Sequence, residues 1–390
     1  MKTKILILLI FILFAGSQLI SSQSKTGNLP VLDLSKNYPQ KKLCLQDMGD
    51  IEYVPLETTD EVLLDGSASL SAVSDKYILL HESVRGNIFI FDRTGKLYSH
   101  FNHKGQSGQE YQWINTGTIL DEKNEEIYVC SRNVQVYSLK GEYKRTLKIN
   151  TFENNMNIFN FDDKSLLMYE DVIIEPGREN KTKNDPYRLV SKKDGSLISV
   201  LDIYFPKRNS NAVAKHEGKM WYPFKFSYTR NPYYGQDFMI ADISSDTLYL
   251  LSPNKGLTPV LTRTPSVYAS EPRNVWTTLF TTDKGSFIGT LLLDFTKTGA
   301  TIHRYMYDFK TGEINKISIL DTEYDTRQWS QGRWEPEATP AIAKNYVAEL
   351  IQPSSIIEAY QGKRLKGNGN KIAKTLQEDD NPVVRIIKFK

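Results

Sequence analysis

The sequence predicts an all-β propeller, and three observations carry that prediction. A hairpin pattern recurs five times, a further strand stands upstream of most copies, and helical periodicity is nearly absent. The copies are IFIFDRTGKLYSHF from Ile88, VQVYSLKGEYKRTL from Val134, YRLVSKKDGSLISV from Tyr187, DTLYLLSPNKGLTPVL from Asp246 and RYMYDFKTGEINKISI from Arg304. Their turn glycines, Gly95, Gly141, Gly195, Gly256 and Gly312, are spaced by 46, 54, 61 and 56 residues, close to the length of a four-stranded blade with variable loops.

Each copy alternates β-branched or aromatic residues with polar ones, so one face of each strand is apolar, and the glycine supplies the positive φ of a tight turn. A lone hairpin would leave that face in water. The upstream strands KYILLHE from Lys76, NEEIYVC from Asn124, SLLMYEDVII from Ser165 and FIGTLLLDF from Phe287 extend each hairpin to a meander of three or four strands. Stacking such sheets face to face around an axis buries both sides and leaves only short edges. A β-sandwich is the alternative, but it has no reason to repeat at this spacing. Helical patterning is confined to stretches near Pro340 to Tyr360 and Lys371 to Leu376.

The chain opens with Lys2 and Lys4, an apolar run from Ile5 to Ala15 and small or polar residues to Ser24, the order of an export leader. As a helix the apolar run would cross only about half of the ~30 Å hydrocarbon core, so cleavage is expected, after Ser17 or Ser22, rather than a membrane anchor. No cysteine stands between residues 15 and 30 to take a lipid, so the mature chain is expected to be soluble in the periplasm or outside the cell. Cys44 and Cys130 are the only cysteines; an oxidising compartment would let them pair, but two in so long a chain make no disulfide framework, and two buried or half-buried side chains are expected.

With 40% hydrophobic, 11% aromatic and 24% charged residues, the chain has material for a full core. Loss of Lys2 and Lys4 lowers the net charge from +3 to +1, and the two signs are interleaved, which excludes nucleic acid as a partner. GKRLK, from Gly362, is the densest basic patch and reads as a solvated turn.

The opening segment LPVLDLSKNYPQKKLCLQDMGDIEYVPLET, the strands SDKYILL and IFIFDRTGK, DTLYLL in the fourth repeat and the closing EDDNPVVRIIKFK together resemble an uncharacterised propeller family of secreted and lipid-anchored Bacteroidetes proteins, over roughly residues 29–390. That family is similar to NHL-type propellers. The resemblance implies six four-stranded antiparallel blades, the sixth built from C-terminal strands and closed by an N-terminal strand near Ile51 to Pro55. The expected division is a leader over 1–24, an N-terminal segment over 25–50 and one propeller domain over 51–390. Members commonly carry a glycine-rich segment ending in Gly-Glu-Tyr after the first blade. Here KGQSGQEY matches at Gly105, Glu110 and Tyr111 and departs at Ser107, Gly108 and Gln109, and the residues themselves read as a structural loop between blades.

No catalytic motif is present. Around Ser107 the hydrolase elbow fails at Gln109, and His81-Glu82 is followed by Arg85 where a zincin needs its second histidine. There is no Walker loop or dinucleotide fingerprint, and DEKNEE from Asp121 does not alternate ligands as a calcium loop does. His100 and His103 are near enough in sequence to share a metal, but no third ligand lies nearby, so surface or half-buried histidines are expected and no cofactor or metal is assigned.

Aromatics carry the binding reading. In WYPFKFSYTRNPYYG, Tyr222, Phe224, Phe226 and Tyr228 alternate as a packed strand face. Tyr233 and Tyr234 follow Arg230 in a predicted loop, and Trp329 and Trp334 sit in the polar run TRQWSQGRWEPEATP. Arg230, Tyr233, Tyr234, Trp329 and Trp334 are therefore the candidate ligand-binding residues, suited to stacking on sugar rings or anchoring a protein, although such rings can also cap blade ends. The expected function is an exported binding or scaffolding propeller for a glycan or an envelope protein. The alternative is a propeller hydrolase or lyase with a metal or carboxylate site on the axis, which no local motif would reveal.

Overall fold

Each predicted hairpin forms the third and fourth strands of a sheet. The computed structural model describes residues 29–149, 156–170, 185–203, 205–209, 212–217, 220–225, 233–292, 302–323, 327–328, 341–343 and 346–390. Over these residues the chain is a six-bladed propeller. Blades 1 to 5 span residues 68–102, 118–147, 156–200, 233–264 and 274–321, each an antiparallel meander of four strands. The innermost strands of blades 6, 1, 2 and 3 lie against one another in that order. The turn glycines of all five hairpins have positive φ, as the turn chemistry requires.

Blade 6 joins the two ends of the chain. Strands Ala341–Ala343, Tyr346–Ile351 and Val383–Phe389 come from the C-terminal part, and Gly49–Pro55 pairs antiparallel with Val383–Phe389 as the fourth strand. The expected closure by an N-terminal strand is therefore what the structure shows, beginning at Gly49. The segment before it is part of the same body: Val31–Asp33 adds a parallel strand to the outer edge of blade 4, and Gln40–Cys44 adds one to blade 5. The N-terminal segment thus straps three successive blades, and its own Leu32 is fully buried against blades 4 and 5.

Alternation along the strands sets what packs where. In blade 1, Phe89 and Phe91 face blade 6, while Ile88 and Ile90 face blade 2. In blade 6, Val384 and Ile386 face blade 1 and Ile387 faces blade 5. An apolar cluster of this kind fills each of the six junctions between successive blades. Each fully buried Leu, Ile or Phe contributes roughly 1.5–3 kcal/mol, so these junctions rather than the exposed turns hold the ring together.

The helical reading near the C-terminus needs correction in detail. YVAELI, Tyr346–Ile351, is a strand, because pairing with Val383–Phe389 overrides its helix-favouring Ala, Glu and Leu. The helix starts at Pro353, where the missing N–H costs nothing, and runs to Gln361. A second short helix occupies Gly367–Ile372 and ends where Lys371 to Leu376 was expected to be helical. Ile356, Ala359 and Leu365 pack on Tyr53 beside blade 6.

KGQSGQEY is a structural loop. Tyr111 is fully buried; its hydroxyl donates to Gly86 O at 2.6 Å and accepts from His103 N at 2.9 Å, and the Glu110 carboxylate accepts from Ser107 N at 2.8 Å. Cys130 is buried and Cys44 half-buried, both as free thiols, and burial pushes the Cys130 thiol up to about 12.

Candidate functional site

The first turns of four blades and one strand of a fifth converge on one cavity of about 710 Å³. Blade 1 brings Ser74 and Asp75, blade 2 Glu122 and Lys123, blade 3 Asp162 to Lys164, and blade 4 Gln236, while Tyr346 begins the second strand of blade 6. Each of these turns follows the innermost strand of its blade, so the cavity opens at the propeller axis. Lys192 and Asn254, from the hairpin turns of blades 3 and 4, complete its wall on the same face.

The wall is fixed by bonds between blades. Lys192 is 4% exposed, and its ammonium donates to Asp121 Oδ2 at 2.7 Å, to Asn160 Oδ1 at 2.7 Å and to the carbonyl of Asp162, tying blade 2 to blade 3. Asn160 Nδ2 donates to Leu120 O at 3.1 Å across the same junction. Tyr346 donates its phenol proton to the Asp75 carboxylate, tying blade 6 to blade 1. A buried ion pair is costly unless its remaining valences are filled, and here they are: Asp121 also accepts from Asn124 Nδ2 at 2.8 Å.

The aromatic candidates fare unevenly. Tyr233 lines the cavity, in a short strand, Tyr233–Tyr234, paired with Asp237–Ala241 and not in a loop. Its half-buried ring packs on Phe238 with centroids 4.5 Å apart, and burial holds its phenol well above the usual range. Tyr234 shares the strand, with its side chain outside the described residues, and Arg230, Trp329 and Trp334 lie outside them altogether. So do Phe226, Tyr228 and the side chains of Tyr222 and Phe224, and the leader over 1–24.

A hydroxyl and imidazole cluster lies further along the innermost strands of blades 1 and 2, outside the cavity lining. Ser71 is the extra residue of a β-bulge in the innermost strand of blade 1, and the bulge turns its hydroxyl onto His81 Nδ1 at 2.6 Å. Thr118 Oγ1 of blade 2 donates to Ser71 Oγ at 2.8 Å, and Ser83 Oγ lies 3.1 Å from His81 Nε2. Burial alone pulls the His81 pKa down to about 4, so the ring is neutral and both nitrogens are satisfied by hydroxyls. His100 stacks on Phe89 at 4.4 Å, and His103 stacks on Tyr137 with Nε2 2.7 Å from Gly141 O, so the two do not converge on a metal. Among the described residues no three His, Cys, Asp or Glu side chains are grouped to hold one.

Sequence reasoning missed Asp75, Gln236, Asn254, Lys192 and the Ser71–His81 contact. The bulge at Ser71 leaves no local pattern to read, whereas the first turns of blades 1 to 3 share one, Ser or Asp, then Asp or Glu, then Lys, at 74–76, 121–123 and 162–164.

Fold and cavity together define a six-bladed β-propeller with a polar pocket at its axis. The chain belongs to the family described as Domain of unknown function (DUF4934), whose model matches residues 29–388. No curated protein matches it in sequence. Among solved structures it is similar to a "Putative exported protein" of Bacteroides fragilis, at 13% identity and TM-score 0.57 over 90% of this chain and 99% of that one. It is also similar to a member of the duf4221 family from Bacteroides vulgatus, at 11% identity and TM-score 0.47 over 88% and 97% of the two chains. A virginiamycin B lyase from Staphylococcus aureus shares 9% identity at TM-score 0.37, over 87% and 99%.

Proposed function

We propose that this protein is an exported binding module that holds a glycan in the axial cavity. Export is supported by the leader-like order of Lys2, Lys4 and the Ile5 to Ala15 run, and no helix among the described residues is long and apolar enough to cross a membrane. The observation that carries the binding reading is the cavity itself, concave, about 710 Å³, with the ring of Tyr233 beside the amides of Gln236 and Asn254. Small-molecule sites occupy ~300–1,000 Å³ and combine an apolar surface with a few polar groups that fix orientation. A protein partner would need a contact of ~800 Å² on each side, which favours a broad surface over a recess.

The Ser71–His81 contact is what an axial hydrolase would use, and it stops short of one. Among the described residues no carboxylate orients His81 or would stabilise an imidazolium.

A thermal-shift screen against oligosaccharides, divalent metals and a chelator tests the reading. A glycan ligand at a hundred times its Kd adds about 2.7 kcal/mol and raises the midpoint, while the chelator leaves it unchanged. A midpoint that drops with chelator and recovers with one metal would replace the binding reading with an axial metal site.

A further inference from the structure

Most of the charges around the axial cavity are paired within the protein, and this decides which glycan fits. We infer that the ligand is an uncharged, polyhydroxylated chain, an inference that rests on the axial-cavity reading above. Asp121 is matched by Lys192 at 2.7 Å, Asp163 by Lys123, and Glu122 by Lys76 at 3.8 Å. Among the described residues, two lining carboxylates have no cation partner. Asp162 Oδ1 accepts from Lys164 N, Ser165 N and Ser165 Oγ at 2.6–2.8 Å, and Asp75 accepts the Tyr346 phenol. Among the described residues, Lys164 is the one lining ammonium that has no carboxylate partner. A uronic, sulfated or phosphorylated sugar would therefore meet two unpaired carboxylates for one unpaired cation and find no lining arginine fork to hold it. A cationic amino sugar would meet the unpaired Lys164 ammonium and find only the second oxygens of Asp75 and Asp162 open to it.

The uncommitted groups are of another kind. Gln236 and Asn254 are exposed at the mouth, and neither side chain makes a hydrogen bond among the described residues. Each amide offers an acceptor and two donor hydrogens, the complement of neighbouring hydroxyls that both accept and donate. The ring of Tyr233 offers an apolar surface for the C–H face of a sugar. The second oxygens of Asp75 and Asp162 can accept from hydroxyls without gaining or losing charge.

Isothermal titration of the purified protein with hexasaccharides tests the inference, using cello-, xylo- and mannohexaose as neutral probes and oligogalacturonate and chitosan hexamers as charged ones. The inference expects a neutral hexaose to bind with an affinity that stays within twofold between low and high salt, and expects Asn254→Ala and Gln236→Ala to weaken it at least tenfold with unfolding midpoints unchanged. Salt-sensitive binding of a charged hexamer, tighter than any neutral one and lost in Asn254→Ala, would overturn the neutral ligand while keeping the cavity. Binding indifferent to both substitutions, or none by any probe at millimolar concentration, would overturn the cavity reading itself.

Discussion

Replacing Gly95 with alanine is expected to cost about 3 kcal/mol or more, whereas the same change at Gly312 is expected to cost about 1 kcal/mol. Both glycines turn the outer hairpin of a blade at positive φ, +88° and +72°, so both substitutions carry the left-handed backbone penalty. The difference is what lies beyond the turn. A Cβ on Gly95 would stand 2.0 Å from the carbonyl oxygen of Pro55, and the Gly95 carbonyl accepts from Glu57 N at 2.8 Å, whereas a Cβ on Gly312 meets nothing within 4 Å. Pro55 ends the strand that closes blade 6, so Gly95 sits where the two ends of the ring meet blade 1. Urea unfolding of the two variants measures the contrast, and equal losses would show that the close approach at Pro55 has no energetic weight.

Acid is expected to remove about 3 kcal/mol of stability through His81 alone. The unfolded chain takes up a proton on this histidine near pH 6.5, while the folded chain accepts it only near pH 4, because the buried ring gains no carboxylate in exchange for its lost water. The contribution is therefore present in full above pH 6.5 and is lost as the pH falls towards 4. His100 and His303 are held below their ordinary pKa by burial and act in the same direction from half-exposed positions, so the slope assigned to His81 is the part that His81→Gln removes. Denaturant unfolding at pH 7, 6, 5 and 4 for both proteins measures it, and parallel pH profiles would mean that His81 does not titrate as its burial requires.

The blades were legible where the signal is local. A hairpin with alternating strands and a turn glycine is specified within about fifteen residues, so Gly95, Gly141, Gly195, Gly256 and Gly312 all mark turns of positive φ. Blade 6 has no such copy. Its strands are separated by two helices and its fourth comes from the far end of the chain, so only the family resemblance anticipated it. Tyr346–Ile351 looked helical because its residues favour helix, and its strand state is set by a partner about 37 residues away in sequence.

The candidate site was legible only at Tyr233. Its ring drew attention as an aromatic beside polar residues, and the structure places it on the cavity wall. Much of the rest of the wall comes from first turns, which read Ser-Asp-Lys in blade 1, Asp-Glu-Lys in blade 2, Asp-Asp-Lys in blade 3 and Gly-Gln in blade 4, so three of them carry a short acidic-lysine signal. What brings these turns together is position after an innermost strand, a property of the ring and not of any one segment. Lys192 reads in sequence as one of two solvated lysines in a hairpin turn, yet its ammonium is buried between blades 2 and 3.

Hydrogen exchange measured with and without a saturating oligosaccharide tests most directly whether the axial cavity is the binding site. The account predicts that added protection concentrates in the first turns of blades 1 to 4, around Ser74, Glu122, Asp162 and Gln236, with the hairpin turn at Asn254 following them. Protection confined to the outer strands, such as Leu97–Asn102 or Leu197–Val200, with those turns unchanged, would contradict it and place the ligand on the rim of the ring.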